Sequence, residues 1–370
     1  MFLESLSLHN FRNIAQLELT IPAQGVLLQG NNGQGKTSIL EALYLCATGR
    51  SFRTQRVHEM IRHGESAARI SARFIRRGVR HVIDVSLQPK HRVITVDDKR
   101  LPATSSLLQM VNIVAFFPDD LCITKGPAEG RRHFVDRMVA NIQSDFLMSS
   151  VNYAKVLKSR NHVLRQSQNG IDPVLMKTLD EQLIGYGEKI HTYRSQTLKA
   201  LLPLAIEIYT EISMGKDPTP NMELTAGFLL SSEYMSDYKT NFKKTLEKDL
   251  PRDRALGMTS SGPHRADLFI SLGNYNSRQY ASQGQQRALV LALKLAEVHM
   301  LRSILESPPI LLLDDVSSEL DSERCSVLFN DLVQSEAQVW LSTTGAAKLP
   351  ENPKMSKYEV TDGHVNLLNS

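Results

Sequence analysis

The chain has 370 residues, a formal net charge of +4, 42% hydrophobic and 22% charged residues, a balance that predicts a soluble globular protein of about two domains. No run approaches the roughly 20 apolar residues of a membrane-crossing helix, and the opening "MFLESLSLHNFRNI" lacks the basic-then-apolar pattern of a signal peptide. Cys46, Cys122 and Cys325 lie far apart with no C-x-x-C spacing, which argues against a zinc site or disulfide framework and predicts reduced thiols in a cytosolic protein.

In chain order, "LESLSLHNF" and "AQLELTIP" alternate apolar and polar residues, as half-buried antiparallel strands do. "GVLLQG" is a short apolar strand running into a glycine loop, and "KTSILEALYLCATG" then reads as a helix. The loop "GNNGQGKT" fits G-x-x-x-x-G-K-[ST] in the strand-to-helix context that the motif requires. Backbone N–H groups of Gly30, Asn31, Asn32, Gly33, Gln34 and Gly35 are predicted to curl around phosphate oxygens, helped by the dipole of the helix that follows. Lys36 brings positive charge to the β- and γ-phosphates of ATP, and Thr37 offers its hydroxyl to Mg²⁺.

"ARISARFI", "HVIDVSL" and "RVITVDD" predict a sheet of antiparallel hairpins attached to the nucleotide-binding sheet. Between Arg50 and Arg100, 13 Lys and Arg stand against five Asp and Glu, with four histidines besides. A positive face of this kind is either the footprint of a polyanion partner or a solvated surface. From about Pro118 to Leu250, apolar residues recur at helical spacing in two long stretches separated by "SQNGID", and neither sustains the heptad seam of a long coiled coil. The predicted boundaries are an ATPase domain of residues 1–117 with 257–370, and a mainly helical domain of residues 118–256.

Strands return after Gly257. "YASQGQQRALVLALKLAEVHM" then places Ser282, Gln283, Gly284 and Gln285 directly before an apolar helix, where Ser282 is a candidate cap. In "ILLLDDVSSELD", Ile310 to Leu313 form a strand buried on both faces, and Asp314 and Asp315 stand at its C-terminal end, where ligands bind in open α/β sheets. Asp314 is expected to hold Mg²⁺ through water and Asp315 to polarise the attacking water. "QVWLSTT" is one more strand.

A phosphate loop, a small-polar turn capping a helix, and an apolar strand ending in acids together resemble the ABC-type ATPases, with "SQGQQ" at the place of their signature sequence. "LHNFRN", "GNNGQGKTSILEALYL", "GRSFR", "FFPDDL", "KGPAEGRRHFVD", "SGPHRADL", "SQGQQRALVLALKLAE" and "LLLDDVSSELD" narrow this. From Leu8 to Thr344 the chain resembles the RecF family of bacterial recombination-mediator ATPases, relatives of SMC heads. The resemblance implies an α/β fold: an ABC-type ATPase head, with a P-loop mixed sheet and an antiparallel β subdomain, plus a helical second domain. It implies nucleotide contacts from Arg12 and Asn13, phosphate and metal binding by Lys36, Thr37 and Asp314, and hydrolysis through Asp315. Ser282, Gly284 and Gln285 would act on ATP held by the opposite subunit, and Ser318 to Asp321 would cross the dimer interface. Arg50 and Arg53 fit either an interfacial arginine or a DNA contact, and His264 either a structural hydrogen-bonder or a contact to nucleotide or an interfacial partner.

The chain departs from related patterns in three places. Asp315 stands where transporter-type ATPases carry glutamate, which is consistent with slow hydrolysis. Ala266 precedes Asp267 where the family tends to have two acids, and "STT" stands where many ABC ATPases place a histidine, leaving Thr343 or Thr344 to hydrogen-bond instead. The function so implied is a weak ATPase whose ATP-dependent homodimer clamps DNA, duplex or at gapped and single-strand junctions, without a membrane partner. RecR and RecO are the implied partners, in loading RecA. The alternatives are a transporter-type ABC subunit and a non-hydrolysing scaffold stabilised by nucleotide. The basic strand region, "SQGQQ" and the lack of a glutamine loop count against the transporter.

Overall fold

The period-2 alternation at the N-terminus folds into β1 (Phe2–Phe11) and β2 (Ile14–Thr20). The computed structural model describes residues 1–22, 24–101, 107–166, 172–228, 237–305, 308–315, 336–344 and 355–368. The apolar run "GVLLQ" forms β3 (Gly25–Gln29), and the glycine loop leads into α1 (Lys36–Thr48). Next come the hairpin strands β4 (Ala68–Arg76), β5 (Val79–Gln88), β6 (His91–Val96) and β7 (Lys99–Arg100). A short α2 (Leu107–Met110) precedes the fully buried β8 (Ile113–Phe116). Helices α3 (Cys122–Lys125), α4 (Ala128–Ile142), α5 (Ser144–Arg165) and α6 (Pro173–Ile212) follow. The helical periodicity runs unbroken through α4 and α5, but Gln143 is extended (φ −118°, ψ 105°) and divides them.

Strand β9 (Pro220–Leu224), which helical spacing gave no reason to expect, interrupts this region before α7 (Tyr238–Leu256). The chain continues through β10 (Leu268–Leu272), β11 (Tyr275–Asn276), α8 (Ser277–Tyr280), α9 (Gln283–Leu305), β12 (Ile310–Asp314) and β13 (Val339–Thr343). It closes with β14 (Ser356–Thr361) and β15 (His364–Leu367), a hairpin absent from the sequence reading. Its two-residue turn has left-handed Asp362 and Gly363 (φ 49° and 78°), the conformation that favours Asp-Gly between strands.

Contacts divide the chain into two units, Met1–Asp120 with Glu207–Lys216 and Gln283–Ser370, and Leu121–Ile206 with Asp217–Ser282. Residues 257–282 thus fall in the second unit and 207–216 in the first, unlike the boundaries read from the sequence. The reason for the larger shift is strand pairing: β10 runs antiparallel to β9, with Leu268 opposite Leu224 and Leu272 opposite Pro220.

Among the described residues, the first unit holds two six-stranded sheets, of order β2-β1-β4-β5-β6-β7 and β15-β14-β3-β13-β12-β8. The first is antiparallel; in the second, β14, β3, β13, β12 and β8 are parallel and only β15 is reversed. Leu6, Leu8, Ile70 and Val85 from the first sheet share one core with Val26, Leu28, Leu312 and Trp340 from the second and with Ile39, Leu40 and Leu43 of α1. Buried Gln338 joins the sheets. Its Oε1 accepts from Leu3 N at 2.8 Å, and its Nε2 donates to the carbonyls of Leu3 and Pro22 at 2.9 and 3.0 Å.

The second unit is held by buried arginines. Arg160, 0% exposed, donates to Asp180 (2.7 Å), Asp253 (2.8 Å) and Thr259 (2.9 Å). Arg131 forks onto Asp267 at 2.7 and 2.9 Å, and Arg194 forks onto Asp136 at 2.6 and 2.9 Å. Much of "KGPAEGRRHFVD" and "SGPHRADL" is therefore a packing device. His264 belongs to it: its ring nitrogens meet Tyr153 Oη at 2.7 Å and the Thr259 carbonyl at 3.2 Å, so it is a structural hydrogen-bonder. Burial lowers its pKa to about 4.

Two predictions follow from these knots. Arg160→Ala leaves the fully buried Asp253 carboxylate without its ion pair and should destabilise the second unit by about 3–5 kcal/mol, measured by urea denaturation. His264 is neutral in the folded state but has an ordinary value of 6.5 when unfolded, so the unfolded chain binds more protons between pH 6.5 and about 4. Its contribution is complete above that window and is lost as pH falls through it; denaturation midpoints should drop more steeply with acid in the wild type than in His264→Gln.

Candidate nucleotide site

The parallel sheet creates the site through its register. Strand β13 lies between β3 and β12, so Asp314 of β12 stands opposite Ser342 of β13, and Ser342 opposite Leu28 of β3. The strand carrying the acids and the strand feeding the glycine loop therefore end at the same level. Thr37, in the first turn of α1, donates its hydroxyl to Asp314 Oδ1 at 3.0 Å. Ser342 donates to the same oxygen at 2.7 Å and accepts from Asp315 N at 3.0 Å. Ser342, the first of the "STT" residues, thus reaches both acids. Asp315 itself has φ 51°, a left-handed backbone.

The loop itself is folded over its lysine. Lys36 Nζ donates to the carbonyls of Gly30 and Asn31 at 2.5 and 2.8 Å. Burial lowers its pKa, against the pull of Asp315 and Asp314, whereas burial raises that of Asp314, with Asp315 adding repulsion. Gly30 (φ 153°) has no room for a side chain, since a Cβ there would come within 2.3 Å of the Val360 carbonyl. Gln34 ties the loop to the C-terminal hairpin, accepting from Asp362 N through Oε1 (2.6 Å) and from Gly363 N through its carbonyl (2.9 Å). Gln29, Gly30, Asn31, Gln34, Thr344 and Asp362 border a hollow of about 480 Å³ there. Asn31, Asn32 and Gly33 are exposed at the tip of the loop.

Asn13 reaches the loop as well, but as a brace. Its amide donates to Gln34 O at 3.0 Å and its Oδ1 accepts from Ser38 Oγ at 3.2 Å, with Gly35 packed against it. Arg12 forks onto Glu41 of α1, at 2.6 and 2.9 Å. Glu41 is 0% exposed and also accepts from Ser51 Oγ (2.5 Å) and Arg53 Nη1 (3.4 Å). Phe52 between them stacks on Phe117 with ring centroids 3.5 Å apart, and Tyr44 meets both edge-on. So "GRSFR" is pinned to α1 and to "FFPDDL". Arg50 lies near half-buried Arg92, whose pKa burial lowers, with Arg50 adding repulsion.

Glu41 and Lys294 were not singled out in the sequence. Lys294 of α9, also 0% exposed, donates to the Ala115 carbonyl at 2.8 Å and pairs with Asp120 at 3.0 Å, while Asp120 accepts from Phe117 N at 2.8 Å. In each case the available signal was an ion in the middle of an apolar helix, "SILEALYL" and "VLALKLAE". Ser282 is exposed at the last position before α9, with Gly284 and Gln285 in the first turn of that helix. Residues Ser318 to Asp321 lie outside the described residues.

A hard divalent cation suits the pair Thr37 and Asp314: a hydroxyl and a carboxylate on one spot, with burial working against the carboxylate's charge. Among the described residues no cluster of three or more His, Cys, Asp or Glu could hold a metal ion. No helix among them is long and apolar enough to cross a membrane.

The sequence matches the RecF/RecN/SMC N terminal domain family over residues 2–365. A DNA replication and repair protein RecF from Myxococcus xanthus is 40% identical over 93% of this chain and 91% of its own length. Another from Anaeromyxobacter sp. is 36% identical over 100% of both chains. Among solved structures, the recombination mediator protein RecF-ATP has 29% identity and a TM-score of 0.90, covering 100% of this chain and 98% of that one. An Smc head bound to the C-terminal winged-helix domain of ScpA, at 16% identity over 100% of this chain and 97% of its own, shares the fold with a TM-score of 0.58. The glycine loop, the acids in register with it and the two-sheet architecture around them are those of an ABC-type ATPase head, and the chain belongs to the RecF family.

Proposed function

We propose that this protein is an ATP-dependent DNA-binding protein of replication and recombinational repair, in which ATP joins two copies around DNA and slow hydrolysis releases it. The observation that carries this reading is the convergence of Thr37 and Ser342 on Asp314 beside Lys36. A triphosphate would compete for Lys36 with the two loop carbonyls that it now satisfies, and the N–H groups of residues 30–37 and the α1 dipole favour the same anion. Thr37 and Asp314 would hold Mg²⁺, which when bound neutralises charge on the β- and γ-phosphates. Asp315 would orient water; being one methylene shorter than glutamate, it suits slow turnover. Ser282, Gly284 and Gln285 would bind the γ-phosphate held by the second copy, with the N-terminus of α9 supplying N–H donors.

DNA enters through charge. Arg69, Arg73 and Arg80 are exposed on the antiparallel sheet; Arg69 pairs with Asp84, but Glu4 is shared between Arg73 and Arg80, so positive charge remains in excess. Phosphates of duplex or gapped DNA are the fitting counter-ions. Relatives named as DNA replication and repair proteins, and a solved recombination mediator protein RecF-ATP described within a RecFOR pathway, support this reading. RecR and RecO are accordingly the partners we propose, with RecA loading as the outcome.

Sedimentation of the full chain tests the reading. With ATP the wild type should dimerise and bind duplex DNA, with affinity falling steeply as salt rises. Lys36→Ala should weaken ATP binding by at least roughly 100-fold, about 2.7 kcal/mol, and abolish the dimer. Asp315→Asn should keep a DNA-bound dimer while losing turnover; unchanged turnover would remove Asp315 from the hydrolytic role.

A further inference from the structure

Nothing in phosphate binding calls for a fully buried carboxylate, yet Glu41 is 0% exposed on α1, the helix that lends Ile39, Leu40 and Leu43 to the core. Burying a charge is costly unless it is paired and hydrogen-bonded, and Glu41 meets that condition with donors from Arg12, Ser51 and Arg53. On α1 it lies four residues after Thr37, hence on the same helix face one turn further along. The Arg12 guanidinium is thereby anchored below the turn that presents Thr37 to Asp314.

The chain around Arg12 is set for this contact. Arg12 has φ 55°, a strained backbone for a residue with a side chain, and its N donates to the Met60 carbonyl at 2.9 Å. Arg62 N donates to the Asn10 carbonyl at 2.8 Å, so both ends of the turn are held by the segment after "GRSFR". The next residue, Asn13, is the brace on Gln34. All three guanidinium nitrogens already donate, to Glu41 and the Glu59 carbonyl, which leaves a second N–H on each of Nη1 and Nη2 to meet an anion.

We propose that Glu41 is a positioning residue of the nucleotide site, fixing Arg12 and with it the turn that brings Asn13 onto the glycine loop, so that triphosphate meets a preorganised cation. The assignment rests on the nucleotide-binding reading above. Glu41 touches no reacting atom; it acts through Arg12.

A double-mutant cycle on the full chain, read by ATP affinity with steady-state KM and kcat, decides the matter. Glu41→Gln and Arg12→Gln should each raise the ATP Kd by roughly tenfold, about 1.4 kcal/mol, and the double variant should bind no worse than either single one. KM should rise with kcat little changed, because Asp315 is untouched. Glu41→Asp, which keeps the charge and covers the case in which Glu41→Gln fails to fold, should bind ATP at least as well as Arg12→Gln, and worse binding would count against the assignment. Additive losses, or a Glu41→Gln protein that melts earlier while binding ATP as the wild type does, would overturn the proposal and leave Glu41 a structural residue. Lys36→Ala separates the two readings: if it too leaves ATP binding intact, the nucleotide assignment has failed, whereas if it alone abolishes binding, only the role of Glu41 falls.

Discussion

A buried carboxylate shared by two hydroxyls is the constraint on which the site depends. Asp314 sits at the end of a strand whose other residues are apolar, accepting from Thr37 and Ser342. Burial opposes its charge, and the cation that acts on it, Lys36, is occupied with carbonyls of its own loop. Such an arrangement is under-compensated as it stands and would become balanced if a cation and an anion arrived together, as the proposed magnesium and triphosphate would. The parallel register of β3, β13 and β12 makes it possible, since a shift of one residue would point Ser342 to the opposite face.

Around that centre the chain spends further buried charge on holding segments in place. Glu41 gathers Arg12, Ser51 and Arg53 onto α1, and Lys294 gathers Asp120 and the Ala115 carbonyl onto α9. The stacked rings of Phe52 and Phe117 join these two clusters. The motifs that give the sequence its family character are thus of two kinds. Some meet at the glycine loop and the acids of β12, and others, such as "FFPDDL" and "SGPHRADL", fix backbone through ions and rings.

How much of this was legible in the sequence depended on the range of the interaction. The glycine loop, Thr37 and the acids of β12 are readable because strand, turn and helix follow one another locally, and the alternation in β1, β4 and β5 announced the antiparallel sheet. Ser342 was not singled out, because its task depends on which strand lies between β3 and β12. Glu41 and Lys294 were passed over because one ion in an apolar helix reads equally well as a solvent-facing residue until its partners, 29 and 179 residues away, are known. The boundary near residue 257 shifted for a similar reason: β9 is a short strand beginning with proline, and only its pairing with β10 draws the following segment into the second unit. Asp362-Gly363 was the exception, a local hairpin signal that was present and overlooked.

The central claim, that a triphosphate is gripped by Lys36, Thr37 and Asp314 on one copy and by the start of α9 on another, is most directly tested by determining the structure with magnesium and a non-hydrolysable ATP analogue. A two-fold assembly with the Ser282 hydroxyl of one copy about 3 Å from a γ-phosphate oxygen held by the other is the arrangement expected. Analogue bound at the glycine loop with every Ser282 turned to solvent would contradict it.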